Sequence, residues 1–89
     1  MRRVDVKVKV INSIKQTFGD VVVSESKSLR GYNITESKHI ELIENLSEEF
    51  NIIFNYDEID ELMKIFIIKD IIEYIYTYMK PFDDADDNI

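Results

Sequence analysis

The residues with the most chemical promise lie in "NITESKHIELIENLSEEF", positions 33–50. Ser37 sits directly behind Glu36, at the head of a segment patterned like an amphipathic helix. A serine there has two readings. It is a covalent attachment point, or it is a first-turn residue whose oxygen bonds the local backbone. His39 is the only histidine. A metal or general-base role would need partner groups that the surrounding sequence does not supply, so it reads as a surface residue. The chain has no cysteine, which removes disulfides, thiolate metal sites and a cysteine nucleophile. The carboxylates of "DDADDN" lack the spacing of a calcium loop and read as a solvated terminal segment. No catalytic triad is visible, so no enzymatic activity is expected.

These groups must be positioned by one small domain, because 89 residues leave no room for a second core. A hydrophobic fraction of 45% is enough to fold it despite 33% charged residues. The expected division is a helical domain over 1–80 and an acidic disordered tail over 81–89. A net charge of −7 repels phosphate backbones and anionic lipid, so neither nucleic acid nor membrane is an expected partner. A monomer that meets proteins bearing basic patches is expected instead. The apolar run "LMKIFIIKDIIEYIYTYM" is too interrupted by charge to cross a bilayer. "MRRVDVKVKV" lacks the apolar core of a secretion signal. A soluble, cytoplasmic protein is therefore expected, and the lack of cysteine is compatible with that.

Two glycines and one proline favour helices over a sheet with many tight turns. Residues 4–18 begin with strand-like alternation of valine and charge. Val6, Val10, Ile14 and Phe18, with Ile11 beside them, recur at helical spacing through the whole segment and predict a helix released at Gly19. Residues 20–35 predict a long loop pinned by Val22, Leu29 and Ile34. Residues 36–50 predict a second helix that buries Ile40, Ile43, Leu46 and Phe50, with Leu42 at the margin. Asn33 and Glu36 form a capping pair at its start and Asn51 ends it. Glu41, Glu44 and Glu48 make an acidic stripe on another side, either a docking surface or an ordinary solvated face. A short extended piece and a short helix near Asp57–Lys64 follow. A last helix over about Lys69–Met79 turns Ile68, Ile71, Ile72, Ile75 and Met79 inward and is stopped by Pro81. Tyr74, Tyr76 and Tyr78 on it read as packing and rim residues.

Taken in order, "VINSIKQTFG", "IELIENLSEEF", "NIIF" and "MKIFIIKDIIEYI" resemble the acyl carrier proteins over roughly residues 4–79. The resemblance implies an all-α, acyl-carrier-protein-like four-helix bundle with a long first loop and a short third helix. In that family an Asp-Ser-Leu motif opens the second helix, and its serine carries 4′-phosphopantetheine, whose thiol holds the acyl group. Here the motif reads Glu36-Ser37-Lys38. Counting forward from Leu29 puts Ser37 at the serine's place, whereas counting back from Phe50 puts Glu36 there. The Leu-Gly that usually precedes the motif is replaced by "NIT", and the stretch between the second and last helices is longer than in the family.

The resemblance implies a covalent 4′-phosphopantetheine on Ser37. It also implies docking through Glu36, Glu41, Glu44 and Glu48, with Glu49 nearby and Lys38 placing a positive charge at the head of that surface. The partners implied are a phosphopantetheinyl transferase and the acyl-processing enzymes of fatty-acid or polyketide biosynthesis. Ile40, Ile43, Leu46, Ile68 and Ile72 would line any acyl pocket, besides forming the core. Two alternatives stand beside this: an unmodified carrier-like module that binds basic partners through the second helix, and an unrelated acidic helical domain with a basic partner.

Overall fold

The first helix, α1 (Arg3–Phe18), settles the ambiguity of the valine-rich start. Val6, Val10 and Ile14 are fully buried, while Val4 and Val8 are exposed, which is a helical division of the valines. Phe18 is half-buried at its end. Gly19 caps the helix at φ 85, and its N–H bonds the Lys15 carbonyl at 2.8 Å. A Cβ would be strained at that φ. The structure, a computed structural model, describes residues 1–80. The proposed stop at Pro81 and the acidic tail lie outside the described residues.

Three further helices follow: α2 (Glu36–Phe50), the short α3 (Tyr56–Met63) and α4 (Ile68–Met79). The all-α expectation therefore holds, including a short third helix and a loop after the first. α1 lies against α2 and α4, and α2 against α3. Val6, Val10, Ile14, Leu42, Leu46, Leu62, Ile68, Ile71, Ile72 and Ile75 form the centre of the core. Met79, expected inside, is half-buried at the end of α4. Among the described residues, no helix is long and apolar enough to cross a membrane.

The α1–α2 seam is polar but satisfied. Asn45 Nδ2 donates to Thr17 Oγ1 at 2.8 Å, and Thr17 Oγ1 donates to the Ser13 carbonyl at 2.8 Å. Both small hydroxyl residues are buried, which lets the helices approach without stranding a polar group.

The long loop contains a 3-10 turn, Leu29–Tyr32. Leu29 is fully buried, as expected. Val22 is instead 75% exposed, whereas Val21 and Val23 are half-buried. The two inward places go to the valines on either side of it, and Val22 between them faces out. The loop substitutes for a missing cap on α4. Ile67 gives no side-chain cap there, and the carbonyls of Lys27 and Glu25 receive the N–H groups of Ile68 and Lys69 at 3.0 and 2.9 Å. Arg3 of α1 adds ion pairs to Glu25 at 2.6 Å and to Glu73 of α4, and Lys7 joins Glu25 at 3.1 Å.

Two expectations for α2 need correction. Its buried stripe is His39, Leu42, Ile43, Leu46 and Phe50, so the face is centred one residue away from the expected one. Ile40 is 44% exposed and Leu42 is 1% exposed. Apolar spacing alone fits either face, and hydrophobicity favoured isoleucine over histidine. The cap is also different. Thr35 accepts from the Lys38 N–H at 3.1 Å, while Asn33 adopts φ 57 at the end of the 3-10 turn. Asparagine tolerates that left-handed geometry, and so it serves the turn rather than the helix. Asn51 ends α2 in the same conformation, as expected. α3 has a true capping box between Asn55 and Glu58.

Candidate functional site

The head of α2 carries the chemistry anticipated from sequence. Thr35 caps the helix, and Glu36, Ser37 and Lys38 form its first turn. Ser37 is exposed, and its hydroxyl makes no hydrogen bond with any described residue. The first-turn N–H groups lack intrahelical acceptors, and only that of Lys38 is taken by the cap. The helix dipole and those open donors favour negative charge beside Ser37.

Helical spacing sorts the four predicted docking glutamates into two groups. Ser37, Glu41, Glu44 and Glu48 are separated by four, three and four residues and share one outward ridge. Glu44 and Glu48 are exposed on it and Glu41 is half-buried. Glu36 leaves the ridge and instead lines a cavity beside the helix start. Lys38 is not a free charge at the head of the ridge. Its ammonium binds the Thr17 carbonyl at 3.1 Å and lies 3.5 Å from Glu41. It thereby satisfies a carbonyl in the last turn of α1, where the dipole favours a cation. Glu49 is partly buried, and its carbonyl receives the Lys9 ammonium.

The cavity has a volume of about 540 Å³ and lies between the 3-10 turn, the head of α2 and the α3–α4 turn. Its floor is aromatic. The Arg30 guanidinium lies 4.1 Å from the centroid of the Phe66 ring, and His39 meets the same ring edge-on at 5.2 Å. His39 was expected on the surface, yet it is only 3% exposed. Its ring faces the backbone of Leu62 and Ile65, polar groups that offset part of the cost of burying an imidazole. Burial lowers its pKa, and those backbone groups oppose the shift only in part. His39 is therefore a neutral peg that fixes α2 to the α3–α4 turn.

Sequence reasoning missed Arg30, Met63 and Phe66 as site residues. They come from separate segments, and no local spacing links them. His39 did leave a signal, since it precedes Leu42, Ile43 and Leu46 by three, four and seven residues. Of the residues expected to line an acyl pocket, Ile43, Leu46, Ile68 and Ile72 are packed in the core and Ile40 lies outside it. A smaller depression of about 280 Å³ separates α2 from α3, with Glu44 and Glu48 on one side and the 93% exposed Ile53 on the other.

No protein-family model, no curated protein and no solved structure matches the chain. The resemblance to acyl carrier proteins rests on the quoted motifs and on the order of the helices.

Proposed function

We propose that this chain is an acyl carrier protein that holds its cargo as a thioester on a 4′-phosphopantetheine arm attached at Ser37. One observation carries the reading. Ser37 offers an exposed, uncommitted hydroxyl at the head of the ridge formed by Glu41, Glu44 and Glu48. An enzyme whose basic patch engages that ridge meets the root of the arm on the same face. Opposite charge accelerates such encounters more than it tightens them, which suits a carrier that must also leave. The arm's phosphodiester would sit where the helix dipole and open N–H groups favour an anion. The chain itself catalyses nothing in this reading. A transferase installs the arm, acyl-processing enzymes act on the cargo, and the tether raises the cargo's concentration at each docked active site.

A second reading is favoured by the position of Glu36. Counted back from Phe50, Glu36 holds the family serine's place, and it opens onto the cavity whereas Ser37 does not. On this reading the domain is an unmodified, carrier-like interaction module, and the α2 ridge binds basic partners directly. Intact mass separates the two. The chain is incubated with coenzyme A and a broad-specificity phosphopantetheinyl transferase, beside Ser37→Ala. One added phosphopantetheine on the wild type and none on the variant supports the carrier. No addition to either overturns the carrier.

A further inference from the structure

The cavity beside α2 has features that neither reading of Ser37 uses. Arg30 and Glu36 reach it from different elements, the 3-10 turn and the first turn of α2. Neither forms an ion pair with the other or with any described residue. Two opposite charges thus face one cavity without neutralising each other. Stacking on Phe66 occupies the face of the Arg30 guanidinium and leaves its in-plane N–H donors available for a carboxylate.

The rest of the lining is mixed: Asn33 and Thr35 bring polar groups from the rim, and Ile34, Met63 and Phe66 form an apolar side. Phe66 is held by Arg30 on its face and by His39 at its edge, and Ile34 and Met63 complete the walls. Such a floor is pre-organised, which spares a ligand part of the ordering cost. His39 is buried, which holds its imidazole neutral, and it adds no charge. A volume of about 540 Å³ falls within the usual range of small-molecule sites. A simple cation would leave Arg30 unmatched, and a simple anion would meet Glu36. A compact zwitterion with an apolar group matches both charges and the floor.

We propose that this cavity binds a free α-amino acid with an apolar side chain, its carboxylate on Arg30, its ammonium on Glu36 and its side chain over Met63 and Phe66. The proposal does not depend on whether Ser37 is modified. The test is a titration of the full chain with L-phenylalanine, followed by NMR shifts of the Met63 methyl, the His39 ring and the Phe66 ring. Phenethylamine lacks the carboxylate and hydrocinnamate lacks the ammonium, and each is titrated in parallel. Arg30→Gln and Glu36→Gln change exposed side chains, and their thermal melts confirm that both variants are folded.

Saturable shifts at the three probes are expected with phenylalanine. Loss of either charge, from ligand or protein, should weaken binding roughly tenfold or more. Absence of shifts up to the solubility limit of phenylalanine overturns the proposal. Equal binding of phenethylamine or hydrocinnamate also overturns it, since the cavity would then be reading only one charge or only the ring.

Discussion

The burial of His39 makes stability depend on pH in a window where little else titrates. The ordinary pKa is 6.5, and the folded protein holds it lower because burial penalises the imidazolium. The unfolded chain therefore binds the proton more readily. The contribution of His39 is fully present above pH 6.5 and is lost as pH falls toward the folded pKa. One proton bound only in the unfolded state gives a slope of at most about 1.4 kcal/mol per pH unit. His39 is the only histidine, and ordinary carboxylates protonate below this range. Urea unfolding followed by circular dichroism from pH 7 to pH 5 should show the midpoint falling as the pH drops. His39→Gln keeps an N–H donor for the backbone but cannot titrate, so its midpoint should be nearly flat over the same interval. A leucine there would remove the imidazole's polar contact with the backbone of Leu62 and Ile65 and should cost about 1–3 kcal/mol even at pH 7. A flat wild-type profile, or an undiminished slope in His39→Gln, would refute the account of His39 as a buried neutral peg.

The remaining expectations are simpler. Arg3 and Lys7 hold the Glu25 carboxyl at about 2, against an ordinary 4.5, so its stabilising effect is present above pH 4.5 and fades as pH falls toward 2. Arg3→Gln should return the carboxyl toward 4.5 in an NMR titration, and an unchanged midpoint would show that the ion pair does not form in solution. Ile72→Ala removes a fully buried side chain and should cost about 2–5 kcal/mol. Ile40→Ala, at a residue 44% exposed, should cost under about 1 kcal/mol. Equal losses in urea unfolding would mean that Ile40 is a core residue after all.

How far the sequence could be read depended on how local the signal was. The four helices were legible because their repeats of apolar residues span whole elements, and Gly19 and Asn51 mark two of the ends. The face of α2 was misjudged by one residue because the deciding fact is non-local: His39 is buried only where the carbonyls of Leu62 and Ile65 meet it. The role of Lys38 was hidden for the same reason. Nothing in its neighbourhood announces that the Thr17 carbonyl, at the end of another helix, will bind its ammonium. Val22 failed differently, since three consecutive valines offer more than one inward choice and no local feature selects among them.

The one-residue offset between Glu36 and Ser37 then becomes a matter of direction. Adjacent residues of an α-helix point about 100° apart, so the two cannot serve one surface. Glu36 addresses the cavity and Ser37 the acidic ridge. A carrier that uses Ser37 would present its arm toward the docked partner, with the cavity left to other use. If the scaffold is a carrier whose attachment place has become Glu36, then Glu36→Ser combined with Ser37→Ala should create a substrate for the broad-specificity transferase. The same intact-mass assay reads this directly. Modification of the wild type supports Ser37 as the arm's site. Modification of the double variant alone supports a carrier scaffold that has exchanged its arm for a carboxylate and kept the docking ridge. If neither gains mass, an acidic helical domain unrelated to carriers becomes the better account. Its α2 ridge would then be studied through its basic partner alone.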